Sequence, residues 1–124
     1  VTITQDKQDS IAAIFDWIKA NVKYVPDPVS GTGNIELFIS PIKFVKDYNL
    51  GLALAGDCDD MAILATALYR SIGIQSNVVL LDVNGGGFDH AISWAQSKLG
   101  WVSVDPSSQY PLGWEEKSFD RIVK

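Results

Sequence analysis

The spacing of apolar residues changes at Gly73, and this change constrains the fold more than any other feature of the sequence. Before Gly73, two segments repeat apolar residues every three or four positions, as amphipathic helices do. The first set is Ile11, Ile14, Phe15, Ile18 and Val22, and the second is Met61, Leu64, Ala65, Leu68 and Ile72. We expect Asp9 or Ser10 to cap the first helix and Gly73 to end the last one. A short helix between them is predicted to begin at Ser40-Pro41 and to end near Gly51.

Beyond Gly73, apolar and β-branched residues occur in three short runs, residues 74–81, 90–95 and 101–104, which predict three strands. The short connection over residues 97–100 predicts an antiparallel hairpin in which Gln96 lies opposite Trp101. The stretch 26–34 reads as a loop, and residues 106–124 have no clear pattern. Helices followed by strands predict one α+β domain over residues 1–124, with N-terminal helices packed on a small antiparallel sheet.

Composition and charge exclude several classes of function. Fifteen acidic against ten basic residues give a formal net charge of −5 without a basic patch, so nucleic acid is not an expected partner. The longest stretch without a charge, residues 71–81, is much shorter than the roughly 20 residues of a membrane span. We therefore expect a soluble protein that does not associate with membranes. The sequence begins Val-Thr-Ile, which leaves open that it is a domain cut from a longer protein, and it assigns no compartment.

Cys58 is the only cysteine, which excludes an internal disulfide framework and a multi-cysteine zinc site. It lies in Gly56-Asp57-Cys58-Asp59-Asp60, at the predicted start of the last helix, where free N–H groups and the helix dipole favour a thiolate. Carboxylates that point inward would oppose the thiolate, so the sign of the net effect stays open. Alternatively, Cys58 is a small buried hydrophobe and the aspartates only complement the helix N-terminus. Three aspartates offer too few oxygens for a calcium cage, and we predict no metal and no cofactor.

His90 is the only histidine, and it begins the second predicted strand, whereas Asp105 follows the third. The hairpin register puts His90 opposite Ser107 and makes Asp105 its diagonal neighbour on one face, within reach of an orienting hydrogen bond. Cysteine, histidine and carboxylate could then act as nucleophile, base and orienting group. The alternatives are a histidine without a catalytic role and an aspartate that forms a turn before Pro106.

Three blocks in this order resemble the transglutaminase-like superfamily: Gly56-Asp57-Cys58-Asp59-Asp60-Met61-Ala62, Asp89-His90-Ala91, and Gly100-Trp101-Val102-Ser103-Val104-Asp105-Pro106-Ser107. The likeness extends to the first helix with Trp17 and to Tyr24. The resemblance implies a papain-like core in which Cys58, His90 and Asp105 form a catalytic triad. It also implies that the Cys58 N–H and the Tyr24 side chain hold an oxyanion, with core packing of Tyr24 as the alternative.

The predicted function is therefore thiol acyl transfer on a peptide or amide bond of a peptide or protein substrate. Hydrolysis is favoured over protein crosslinking, because the chain has little surface beyond its core for extra domains. Trp94, Trp101 and Trp114 could line an acyl-binding groove or fill the core. A non-catalytic peptide-binding module with the same fold and a structural domain of a larger protein stay open, and the oligomeric state is not predicted.

Overall fold

The computed structural model of the protein describes residues 7–25, 46–52 and 54–124. The helices are α1 (Lys7–Asn21) and α2 (Cys58–Ser71), and the strands are β1 (Val22–Tyr24), β2 (Leu54–Gly56), β3 (Ser76–Asp82), β4 (His90–Ser97), β5 (Gly100–Val104) and β6 (Asp120–Val123). Residues 46–49 are also helical, and the chain turns at Gly51 with a φ of 74°. The predicted loop 26–34 and the predicted helix start at Ser40-Pro41 lie outside the described residues. None of the described helices is long and apolar enough to cross a membrane.

The main sheet has four antiparallel strands in the order β5-β4-β3-β6. In the β4–β5 hairpin, Gln96 lies opposite Trp101, the register expected from the length of the connection. The helix-then-strand order and the antiparallel sheet confirm the α+β class. Helix α2 passes through a C-terminal turn to Gly73, whose φ of 84° suits a residue without a side chain.

Three local features differ from the sequence-based expectation. Helix α1 begins at Lys7, so Asp9 lies in its first turn and neither Asp9 nor Ser10 is the cap. Short polar residues occur both at caps and in first turns, where an acidic side chain complements the helix dipole, and the apolar spacing does not separate the two. Strands β1 and β2 pair in parallel as a separate two-stranded sheet. Strand β6, in the segment without a clear pattern, adds the fourth strand next to β3.

The main core lies between the two helices and one face of the sheet. It contains the apolar stripes of both helices, together with Ala95 and Val104 from the facing side of β4 and β5. The buried Tyr69 hydroxyl of α2 donates a hydrogen bond to the Ile11 carbonyl of α1 at 2.9 Å, which joins the two helices. A smaller cluster of Val79, Leu81 and Ile92 forms a second group of buried residues from β3 and β4. The sheet thus contributes buried residues to two apolar clusters, and the helices contribute to the larger one.

A chain of buried hydroxyl groups fixes α2 against the sheet. The hydroxyl oxygens of Thr66 and Ser93 are 2.7 Å apart, and those of Ser93 and Ser76 are 3.0 Å apart. The Ser76 hydroxyl also contacts the Trp94 carbonyl at 2.7 Å. A buried hydroxyl that loses its hydrogen-bond partner destabilises the fold. These hydrogen bonds therefore favour one position of α2 along β4. That position determines where the N-terminus of α2, and with it Cys58, meets the beginning of β4 at His90.

Candidate active site

The N-terminus of α2 is closed by a capping box that leaves the amide of Cys58 free. The Asp57 side chain accepts hydrogen bonds from the N–H groups of Asp59 and Asp60, at 3.1 and 3.2 Å, and the Asp60 side chain accepts one from the Asp57 N–H at 3.1 Å. The Met61 N–H binds the Asp57 carbonyl at 3.1 Å. Within the described part of the chain, the Cys58 N–H has no acceptor. A free donor at a helix N-terminus, on the thiol residue itself, is suited to binding an anion.

The Cys58 thiol is partly buried and faces the carboxylate of one neighbouring aspartate. The Cys58 Sγ lies 3.6 Å from Asp59 Oδ1. Burial and the charge of Asp57 raise the pKa of Asp59 to about 6, against the opposing effect of its hydrogen bond with Cys58. Asp57 and Asp60 are engaged in the cap, so of the three aspartates it is Asp59 whose carboxylate contacts the thiol.

His90 links Asp105 to Cys58. His90 Nε2 is 2.8 Å from Asp105 Oδ2, and the Asp105 side chain is only 2% exposed. The Cys58 side chain is close enough to His90 to raise the pKa of the ring. Burial lowers the pKa of His90, but the hydrogen bond to Asp105, the nearby Cys58 thiol and the negative charges of both groups raise it to about 10. His90 is therefore an imidazolium at neutral pH, the partner that a thiolate requires.

Asp105 both contacts His90 and opens a turn, so the two interpretations of this residue are compatible. Its backbone carbonyl accepts a hydrogen bond from the Ser108 N–H at 3.2 Å. The turn begins directly after β5, and the β4–β5 ladder ends at the pair Ser93–Val104. His90 is therefore not paired with Ser107 as the extended register predicted, because the chain turns away at Pro106. The sequence analysis placed Ser107 opposite His90 but predicted no contact with Asp105, whereas in the structure the Ser107 hydroxyl donates to Asp105 Oδ1 at 2.6 Å. A serine two residues after an aspartate in a turn was the available signal.

Tyr24 is brought to the site by the small parallel sheet. It lies opposite Gly56, two residues before the thiol, and the next N–H, that of Val25, binds the Gly56 carbonyl at 2.8 Å. The Tyr24 side chain is 44% exposed, which excludes full packing in the core. Partial burial is the main cause that raises the pKa of Tyr24. Negative charges near it raise the pKa further, those of Cys58, Asp57, Asp59 and Asp105. Its hydroxyl is thus a protonated donor within the electrostatic reach of the thiol.

The structure places Trp94 and Trp101 away from this group. Trp94 follows His90 by four residues along β4, a distance of about 13 Å at the rise of a strand, and Trp101 lies opposite Gln96 at about 20 Å. The Trp94 indole N–H donates to Glu115 at 2.8 Å, and its ring lies under Arg121, 4.9 Å from the guanidinium carbon. Trp101 lies 6.3 Å from the Trp94 ring. Trp114 stacks on Tyr110 at 4.2 Å. The groove role of Trp94 and Trp101 stays a prediction, and any such groove would extend along β4.

We find no group of three or more histidine, cysteine, aspartate or glutamate side chains that could hold a metal ion in the described residues. The carboxylates closest in sequence to Cys58 are used by the cap and by the thiol.

The sequence of residues 1–106 matches the family model of the transglutaminase-like superfamily. The chain belongs to this superfamily. No curated protein matches the chain at a significant level.

Several solved structures share the fold. A candidate protease from Parabacteroides distasonis matches with a TM-score of 0.66 and 16% identity, over 87% of this chain and 21% of its own. A candidate cysteine protease from Cytophaga hutchinsonii matches with a TM-score of 0.61 and 22% identity, over 94% of this chain and 44% of its own. Calcium-bound LapG of Legionella pneumophila gives a TM-score of 0.63 and 18% identity, over 86% of this chain and 57% of its own. The chain thus spans about a fifth to somewhat over half of the length of these proteins.

Proposed function

We propose that this domain is a cysteine hydrolase that cleaves peptide or related amide bonds, with Cys58 as nucleophile, His90 as acid and base, and Asp105 as the group that orients His90. The observation that carries the proposal is the position of His90, which is hydrogen-bonded to Asp105 through Nε2 and lies close enough to the Cys58 side chain for the thiol to raise its pKa. Because Nε2 of His90 is bound to Asp105, the other ring nitrogen, Nδ1, is the one available to the Cys58 thiol. A nucleophile beside a base that is held by an orienting group is the arrangement expected of an activated nucleophile.

In the first step, the Cys58 thiolate attacks the carbonyl carbon, and the electron pair of the C=O bond moves to oxygen. The free N–H of Cys58 and the Tyr24 hydroxyl are the donors that would stabilise this oxyanion. When the tetrahedral intermediate collapses, the C–N bond breaks and the amine leaves with the proton of the His90 imidazolium. A thioester on Cys58 and a neutral imidazole remain.

In the second step, His90 takes a proton from water while the water oxygen attacks the thioester carbonyl. The C–S bond breaks, a free acid leaves, and the thiolate and imidazolium form again. A primary amine in place of water would give a new amide, which is the crosslinking reaction. Two of the similar structures are described as candidate proteases, which favours the hydrolytic outcome here.

Alkylation of the single cysteine tests the assembly of the site without a known substrate. Iodoacetamide should label Cys58 faster at pH 7 in the wild type than in His90→Gln, because the imidazolium stabilises the thiolate. Equal rates in the two proteins would mean that His90 does not act on the thiol, and the domain would then be better described as a binding module.

Product analysis tests the reaction itself. The wild type is incubated with a mixture of peptides that includes glutamine-containing ones and with an excess of a labelled primary amine, and the products are identified by mass. We expect free acids that are absent with Cys58→Ala and reduced by about 10⁴-fold with Asp105→Asn, by analogy with the serine-protease aspartate. Amine incorporation that requires Cys58 would replace hydrolysis by transfer.

A further inference from the structure

The buried carboxylate of Asp105 has a partner for each of its two oxygens. Oδ2 is 2.8 Å from His90 Nε2, and Oδ1 accepts a hydrogen bond from the Ser107 hydroxyl at 2.6 Å. Asp105 as a whole is 3% exposed, so water has little access to either oxygen. A buried carboxylate needs protein donors to replace the hydrogen bonds that it would make with water.

The backbone of the turn that carries Asp105 is held by other groups. The N–H and the hydroxyl of Ser108 donate to the Asp105 carbonyl, at 3.2 and 2.9 Å. The Lys19 ammonium of α1 donates to the Ser108 carbonyl at 2.7 Å and ties the turn to the helix. None of these bonds involves the Ser107 hydroxyl, whose hydrogen bond is to the Asp105 carboxylate.

We propose that Ser107 is a positioning residue, which fixes the carboxylate of Asp105 in the orientation that holds the His90 ring toward Cys58. The proposal rests on the function proposed above for its catalytic consequence, but the hydrogen bonds on which it is based are independent of that function. Without the Ser107 hydroxyl, the carboxylate can rotate about its Cβ–Cγ bond. The hydrogen bond to His90 then weakens, and the ring is less firmly oriented.

His90 is the only histidine, so its ring signals in an NMR spectrum are unambiguous. In Ser107→Ala we expect the His90 pKa to fall by about one unit and the Nε2 proton to exchange faster with solvent and to shift upfield. Ser107→Thr retains a hydroxyl and should restore both signals. Ser108→Ala is the matched control, because it removes a hydroxyl that binds only backbone groups, the Asp105 carbonyl and the Tyr110 N–H, and does not touch the Asp105 carboxylate.

Where hydrolysis is measurable, Ser107→Ala should lower kcat about tenfold and change KM by less than about twofold, since it weakens an orienting hydrogen bond to a charged group and no substrate contact. The basic limb of the pH profile should move to lower pH together with the NMR titration.

A His90 titration and proton exchange that are unchanged in Ser107→Ala, or that change equally in Ser108→Ala, would overturn the proposal. The NMR readout needs no turnover. An altered His90 titration in a domain that proves inactive would therefore contradict the hydrolase function and leave the positioning role of Ser107 intact.

Discussion

The Cys58 thiol has two charged neighbours that act on it in opposite directions. A cationic His90 stabilises a negative charge placed near it, whereas the ionised Asp59 carboxylate, 3.6 Å from Sγ, repels one. Since the pKa of Asp59 is raised to about 6, its opposition is weak in mild acid and complete above neutral pH. The charge beside the Cys58 thiol thus changes across a range in which His90 stays protonated.

Replacing Asp59 by asparagine should therefore speed alkylation of Cys58 in a pH-dependent way. The ratio of the Asp59→Asn rate to the wild-type rate should rise from about one at pH 5 to roughly three to ten above pH 7, with its midpoint near the Asp59 pKa of about 6. Iodoacetamide labelling followed by mass measurement gives the two rates. Asp16→Asn, which removes an exposed carboxylate of α1, is the control for general charge effects. A ratio that does not vary with pH would show that Asp59 does not titrate beside the thiol.

The Tyr24 hydroxyl offers a second residue-scale test. If it donates to the oxyanion, Tyr24→Phe should lower kcat of peptide hydrolysis by about 10²-fold, the cost of losing one such donor, with little change in KM. The rate of Cys58 alkylation should change much less, because that reaction forms no oxyanion. A variant with wild-type kcat would remove Tyr24 from the proposed mechanism.

At the scale of elements, the site depends on a contact between strand β2 and the first turn of α2. Gly56 ends β2, pairs with Tyr24 and precedes the Asp57 cap. A Cβ atom at position 56 would lie 2.7 Å from the Asp60 Cβ, closer than packed atoms allow. The absence of a side chain at this position therefore lets the small parallel sheet approach the capping box that presents Cys58.

Gly56→Ala should consequently lower the free energy of unfolding by about 1–3 kcal/mol, the usual cost of overpacking. Urea unfolding followed by tryptophan fluorescence measures the change, and Cys58 alkylation should slow in the same variant. Gly86→Ala is the matched control, since an added Cβ meets nothing within 4 Å there, and it should stay within about 0.5 kcal/mol of the wild type. Equal stabilities of the two variants would mean that the strand and the cap can separate without cost.

The elements that the sequence predicts are those with an apolar repeat of their own. The stripes of Ile11 to Val22 and of Met61 to Ile72 predict both helices, and the short connection before Gly100 predicts the register of β4 and β5. Strands β1, β2 and β6 have three or four residues each, too few for a period to be visible. They form because packing brings them to a partner, β2 to β1 and β6 to β3, and such pairing is not encoded locally.

At the scale of the whole molecule, the site joins two parts of the fold that the sequence predicts separately. The helix start at Cys58 and the strand start at His90 follow from local patterns, but their contact depends on how α2 lies on the sheet. The sequence likewise identifies the aspartates around Cys58 without telling which one faces the thiol, because side-chain orientation is set by the cap. Residue types and elements were therefore predictable, whereas the role of Asp59 and the contact of Ser107 required the structure.

His90 also links the site to global stability. Its pKa is about 10 in the folded protein and about 6.5 in an unfolded chain, so the folded state binds this proton more tightly. The resulting stabilisation is fully present below pH 6.5 and is lost as the pH rises toward 10. The free energy of unfolding of the wild type relative to His90→Gln should therefore fall between pH 6 and pH 9.5, by an amount on the order of 2–4 kcal/mol.

Urea unfolding of both proteins at the two pH values gives this difference, and Ser97→Ala provides a control variant at the opposite end of β4. A difference between wild type and His90→Gln that is constant over this range would show that His90 titrates as it does in an unfolded chain.

The buried hydroxyls of Thr66, Ser93 and Ser76 have a consequence for how the cleft can open. Sliding of α2 along β4 would strand these groups in an apolar interior, so the helix and the strand behave as one rigid block. Cys58 begins α2 and His90 begins β4, so we expect the distance between them to vary little. For the proposed reaction, we therefore expect the substrate to enter and the product to leave through movement of surface segments beside the block, such as the glycine-rich connection before His90. These surface segments can then move while the Cys58 and His90 side chains keep their relative position.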